Sequence, residues 1–231
     1  MRADLLVAMN EARRARRATI LVTDTQSGEA RLVGEADAAA DPLGPELERR
    51  FRTGRSGMLE DGRTFLTVQV PPPRMVVIGA VHISQALAPI ARVAGFDMIV
   101  IDPRTAFATQ ERFPDVPLVA EWPDEALRER PLDAYSALVA LTHDPKIDDG
   151  PIAAALAARC FYVGALGSRK THGKRIERLL QSGIAAADLE RIHAPIGLDI
   201  GAQSPAEIAV AIMAEVIAAL RTSAGAKRAA A

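Results

Sequence analysis

The sequence predicts an α/β fold: a Rossmann-like doubly wound parallel sheet preceded by a small α+β N-terminal domain. Three observations carry that reading. Met75 to Ile78, Met98 to Ile101, Leu118 to Ala120, Ala137 to Leu141 and Phe161 to Val163 are short apolar runs separated by helical patterns, as in a parallel sheet covered on both faces. The segment before them has another order, a helix and then paired strand-like runs around turn residues. Between the two stands Pro71-Pro72-Pro73, which offers no backbone donors and forces an extended path. The expected organisation is a small domain over residues 1–70, a linker at 71–73, a Rossmann-like domain over 74–222 and a frayed tail at 223–231.

In the first segment Arg2 to Arg17 reads as a helix, and Arg13, Arg14, Arg16 and Arg17 suit a solvated helix end near its last carbonyls. The β-branched run Ala18 to Asp24 reads as a strand, with Arg31 to Glu35 as its hairpin partner across a Gln-Ser-Gly turn. Pro45 to Arg52 is helical, and Gly57 to Glu60 and Thr64 to Val70 flank an Asp61-Gly62 hairpin turn. Near the other end, Ser204-Pro205-Ala206-Glu207 has an N-cap serine, proline at the first helical position and glutamate at the third. It opens a helix to about Arg221 whose Ile208, Ile212, Val216 and Leu220 recur at core spacing.

With 231 residues, 49% of them hydrophobic, the chain can build a real core, which excludes a disordered or fibrous protein. Charge is balanced at 28 Lys+Arg against 29 Asp+Glu, so no bulk attraction to nucleic acid or anionic lipid is expected. The longest apolar run, Ile208 to Leu220, contains Glu215 and is well short of the roughly 20 residues a bilayer span needs. No signal-peptide pattern is present, and the expected setting is the cytoplasm, with no nucleic-acid or membrane partner. The single cysteine, Cys160, can make neither an internal disulfide nor a Cys-rich metal cage and reads as a buried structural thiol.

Three loops at predicted strand ends carry the candidate site. The first, Gly79-Ala80-Val81-His82, follows a strand and opens a helix, and Asp102 lies where a Rossmann acid would hold a ribose, with Arg104 beside it suited to a phosphorylated ribose. Val81 replaces the second glycine of the dinucleotide fingerprint, and its β-branched side chain obstructs the approach of a pyrophosphate, so NAD(P) binding is expected to be weakened. An inherited loop with no nucleotide is the alternative. The second loop, Gly164 to Thr171, contains Gly167, Ser168, Arg169 and Lys170 and leads into a helix. It lacks the Gly-Lys-Thr of a triphosphatase loop but suits a phosphate or other oxyanion at a helix N-terminus; an ordinary turn with solvent-facing basic residues is the alternative. The third, Thr142-His143-Asp144, ends a strand where α/β sheets collect ligands, with Asp148 or Asp149 read as the cap of a helix near Gly150. The histidine spacing is not that of a metal site, and His172 and His193 read as surface residues.

Taken together, Gly79-x-x-His82, Ile-Asp102-Pro-Arg104, Leu-Thr-His143-Asp144, Gly164-x-Leu-Gly167-Ser-Arg-Lys-Thr171 and Pro195-Ile-Gly-Leu-Asp-Ile-Gly-Ala202 resemble the XdhC/CoxI family. The resemblance runs in consistent order from residue 74 to about 221. It implies an accessory protein without turnover of its own, which binds the molybdenum cofactor and delivers it, sulfurated, to a xanthine dehydrogenase-type hydroxylase. The implied partners are the apo-hydroxylase and a cysteine desulfurase, and a homodimer is a separate expectation. The implied cofactor-binding residues are Gly79, His82, Asp102, Arg104, His143, Asp144, Gly164, Gly167, Ser168, Arg169 and Lys170. Family members carry a Gly-Gly-Cys motif in a larger N-terminal domain, and residues 1–73 here contain no cysteine. An NAD(P)-dependent oxidoreductase on the same scaffold is the second reading, but no Tyr-x-x-x-Lys pair or other dehydrogenase acid/base signature accompanies it.

Overall fold

The computed structural model describes residues 2–223, so all but Ser223 of the expected tail lies outside the described residues. Two compact units divide between Pro71 and Pro72, the second running to Thr222. The first contains α1 (Ala3–Arg14), β1 (Thr19–Asp24), β2 (Ala30–Gly34), a 3-10 turn (Glu35–Ala40), α2 (Gly44–Thr53), β3 (Gly57–Met58) and β4 (Thr64–Gln69). Its sheet is antiparallel in the order β2-β1-β4-β3. The Asp61-Gly62 turn forms because Gly62 takes a φ of 62° while the Asp61 carboxylate accepts the Arg63 and Thr64 amides, both at 2.8 Å.

The second unit contains β5 (Arg74–Ile78), α3 (His82–Val93), β6 (Asp97–Ile101), β7 (Leu118–Val119), α4 (Pro123–Glu129) and β8 (Ser136–Ala140). It continues through α5 (Pro145–Ala157), β9 (Tyr162–Ala165), α6 (Arg169–Gln181), α7 (Ala186–Leu189), β10 (Ile192–His193) and α8 (Pro205–Ser223). All six strands are parallel, in the order β10-β9-β8-β5-β6-β7. The chain starts at the centre, builds outward through β6 and β7, then returns to build the other half, which is the Rossmann order.

Alternation along the strands produces two cores. Met75, Val77, Met98, Val100, Ala137 and Val139 pack with the apolar stripes of α3 and α8 on one face. Val76, Ile78, Ile101, Leu138, Ala140 and Val163 pack with α4, α5 and Leu179 of α6 on the other. The capping box expected for the last helix is present: Ser204 Oγ accepts the Glu207 amide at 3.2 Å and Glu207 Oε2 accepts the Ser204 amide at 2.9 Å.

Two expectations need correction. The helix expected near Gly150 begins at Pro145, capped by Asp144, whose carboxylate accepts the Lys146 amide at 2.9 Å; proline at the first turn, with its fixed φ, belongs at that start. The strand expected over Phe161 to Val163 runs instead from Tyr162 to Ala165, because pairing with β8 keeps Gly164 and Ala165 in register with Val139 and Ala140. Among the described residues, no helix is long and apolar enough to cross a membrane.

Candidate functional site

The carboxyl ends of β5, β6, β8 and β9 bring the three loops to one edge of the sheet. The loop after β5 is closed upon itself. Gly79 has a φ of 116°, and a Cβ there would lie 3.0 Å from Thr142 Cγ2, so glycine is required for the loops after β5 and β8 to pack together. Its amides are engaged: Gly79 N–H donates to Ile101 O at 2.8 Å, Ala80 N–H to Asp102 Oδ2 at 2.7 Å and Val81 N–H to Ser84 Oγ at 2.8 Å. Asp102 is fully buried and takes a bidentate grip from Arg104, Nε at 2.9 Å and Nη2 at 2.8 Å, plus the Arg104 amide at 2.9 Å. Burial opposes ionisation of Asp102, yet the bonds from Arg104 and Ala80 hold its pKa below the ordinary carboxylate value. His82 is the first residue of α3, at the helix start.

The loop after β9 is built differently. Gly164 serves packing inside the strand, since a Cβ would meet Tyr162 Oη at 2.5 Å and Ile196 Cδ1 at 2.6 Å. Gly167, at a φ of 140°, turns the chain into α6, and Ser168 caps that helix by accepting the Thr171 amide at 3.2 Å. The amides of Arg169 and Lys170 open the helix and have no acceptor within it. Further along α6, Arg175 is 2% exposed. Its Nη2 donates to Leu166 O at 3.1 Å, its Nε lies 3.9 Å from Asp149 Oδ1 without a hydrogen bond, and its Nη1 has no hydrogen-bond partner. His172 Nδ1, one turn back, is also buried without a partner. Burial lowers the pKa of Arg175, against the pull of Asp148 and Asp149.

The loop after β8 joins these parts. His143 adopts a left-handed φ of 63° and donates its amide to Asp148 Oδ2 at 3.0 Å, while Thr142 Oγ1 donates to Asp148 Oδ1 at 2.7 Å. Asp148 is 1% exposed, and burial pushes its pKa up to about 6 despite the Thr142 hydroxyl and the Arg175 charge. Burial of part of the ring, and then Arg175, lower the pKa of His143. Between the starts of α5 and α6 runs a groove of about 360 Å³ lined by His143, Lys170, Lys174, Arg175 and Arg178, together with Pro145 and Thr171. Arg178 is neutralised by Asp149, at 2.6 and 3.1 Å, and no acidic side chain lines the groove among the described residues.

Of the residues singled out from sequence, His143 and Lys170 line this groove. Gly79, His82, Asp102, Arg104, Asp144, Gly167, Ser168 and Arg169 belong to the loops and helix starts at the same edge without lining it, and Gly164 lies within β9. Sequence reasoning missed Arg175 as an inward-facing cation. Its four-residue spacing to Leu179 was the available signal, because both fall on the buried stripe of α6. Among the described residues, no group of His, Cys, Asp or Glu is arranged to hold a metal ion.

The family model described as the XdhC Rossmann domain matches residues 75–216. The chain belongs to the XdhC family. It is 34% identical over 148 residues to a probable xanthine dehydrogenase subunit of Bacillus subtilis (strain 168), covering 64% of this chain and 43% of that protein. Over 146 residues it is 28% identical to the "Molybdenum cofactor insertion chaperone PaoD" of Escherichia coli (strain K12), covering 63% and 40%. It is also 32% identical over 158 residues to the uncharacterized Escherichia coli protein YqeB, covering 66% and 28%. The chain thus spans less than half the length of these curated relatives. A crystal structure of a xanthine dehydrogenase from Bacillus halodurans shares its fold, with a TM-score of 0.64 and 24% identity over 95% of this chain and 64% of that one.

In this XdhC chain the segment after β10 is anchored by Glu215 of α8. Its Oε2 accepts the buried Tyr162 hydroxyl at 2.6 Å and the Gly197 amide at 2.8 Å, while its Oε1 lies 3.0 Å from His193 Nδ1. The His193 ring packs 4.7 Å from that of Tyr162, so this surface residue, expected to have no partner, is tethered. His172 is half-buried, with its Nδ1 enclosed, which corrects its surface assignment.

Proposed function

We propose that this chain is an accessory protein for a molybdenum hydroxylase of the xanthine dehydrogenase type, binding the molybdenum cofactor and handing it to the apo-enzyme. The observation that carries this reading is membership of the XdhC family, joined to relatives named for xanthine dehydrogenase and for molybdenum cofactor insertion. The basic groove at the carboxyl edge supports it, because the pterin carries a phosphate and the groove offers several cations to an anion. The exposed site residues His82, Asp144, Ser168 and Arg169 would surround the rest of the ligand along the same edge, with the buried Asp102 and its partner Arg104 holding the loop beneath.

Sulfuration is assigned to a cysteine desulfurase acting while the cofactor is held. Cys160, the one thiol of the chain, is 1% exposed and its pKa is pushed up to about 12 by burial, so it is poorly suited to carry sulfur itself. The oxidoreductase alternative is disfavoured by the first loop, whose Gly79, Ala80 and Val81 amides are engaged within the fold and whose Val81 replaces the second glycine of the fingerprint.

The test is mass spectrometry and absorbance on protein purified from cells that make the cofactor, followed by mixing with an apo-hydroxylase. A bound molybdopterin species and restored hydroxylase activity are expected. Protein that carries no pterin and restores no activity would overturn the proposal.

A further inference from the structure

Arg175 is the feature of the edge that internal structure leaves unfinished. It is 2% exposed, yet two of its nitrogens, Nε and Nη1, have no hydrogen-bond partner. A buried donor without an acceptor costs free energy, and a bound anion would supply the missing acceptor. The guanidinium contributes to the wall of the groove at the start of α6, alongside Lys170 and Lys174. That helix is 13 residues long, and its N-terminal dipole adds to the same field.

The charge arithmetic selects the ligand class. Lys170, Lys174, Arg175 and Arg178 face the groove, while Asp149 neutralises Arg178 and Asp148 lies close enough to act on Arg175. Four cations against two carboxylates leave a surplus that matches a dianion better than a single carboxylate. A volume of about 360 Å³ also leaves room beyond a bare phosphate for part of a small organic molecule.

We propose that this groove is a phosphomonoester site in which Arg175, in its wall, is the principal donor once its buried Nε and Nη1 turn toward the phosphate oxygens. Lys170 and Lys174 close over the anion from the exposed side. The inference deepens the proposed function by naming the anchor of the ligand, and it rests on that reading only for the identity of the organic part. Free phosphate and the phosphate of a larger ester would use the same contacts.

Calorimetry with inorganic phosphate and with phenyl phosphate, on the full chain at low ionic strength, tests it without any molybdenum cofactor. Both probes are expected to bind, the ester more tightly, with a common competition by sulfate and none by chloride at equal ionic strength. Arg175→Gln should weaken both by roughly 10-fold or more, the loss expected for a charge-assisted bond. Because that residue is buried and its substitution can perturb folding, Lys174→Met supplies the exposed counterpart, with a loss of about 3- to 10-fold at unchanged thermal midpoint. Tighter binding of inorganic phosphate than of the ester would point to free phosphate as the ligand and overturn the phosphomonoester assignment. Absence of binding by either probe, or unchanged affinity in both variants, would overturn the site. Phosphate binding without recovery of cofactor from cells would leave the site standing and remove the cofactor reading.

Discussion

Of the two glycine loops that open helices at the carboxyl edge, the one after β5 satisfies itself, with its amides bonded to Ile101, Asp102 and Ser84 and its acid gripped by Arg104. The one after β9 instead sets an incompletely bonded Arg175 behind the start of α6. Both are strand-to-helix turns with a glycine at positive φ, Gly79 in one and Gly167 in the other. Glycine placement alone therefore does not make a phosphate loop. What distinguishes them is whether the donors around the turn are already matched by carboxylates and hydroxyls of the fold.

If that contrast is right, the first loop should carry stability and the second should carry binding. Asp102→Ala is the largest expected effect: it strands the Ala80 amide and leaves Arg104 without its carboxylate, and should cost about 2 to 4 kcal/mol in a urea unfolding experiment. A loss below about 0.5 kcal/mol would mean the first loop is not held this way.

Asp148 sets a pH dependence at the junction of the loops. Its pKa is raised in the folded state from 3.8 to about 6, so between those values the folded chain binds the proton more readily than the unfolded one. Its contribution to stability is therefore full at low pH and declines as pH rises from about 4 to 6, by about 3 kcal/mol in all. Asp148→Asn should remove that component from a series of unfolding curves across this window; an unaltered slope would contradict the burial argument.

A smaller effect separates the exposed cations of the second loop. Lys170 lines the groove and Arg169 does not, so Lys170→Ala should weaken phosphate by roughly 3- to 10-fold and Arg169→Ala by less, with stability within about 0.5 kcal/mol in both. Equal losses in a side-by-side titration would place the anion nearer the helix start. The smallest expected effect is none: Val81→Gly restores the glycine of the dinucleotide fingerprint, yet NAD(P)H fluorescence should remain unchanged because the loop amides stay engaged. A clear gain in binding would show that the side chain, and not the occupied amides, closes this loop.

Local patterns in the chain specify the layers. Alternating apolar runs specified a parallel sheet buried on both faces, the triple proline marked the division at Pro71, and the Ser204 to Glu207 capping box fixed the start of α8, because each depends on neighbours within a few residues. The sequence also singled out His143 and Lys170, as polar residues at strand and helix ends. What those groups touch depends on packing between distant segments. Asp102 and Asp148 are both acids at strand-end loops in the sequence, yet one is clamped by Arg104 and ionises readily while the other is buried and resists ionisation. Arg175 reads as one more basic residue on a polar helix until α6 packs against the sheet and turns it inward. Burial and hydrogen-bond matching are properties of contacts between distant segments, and a local pattern does not encode them.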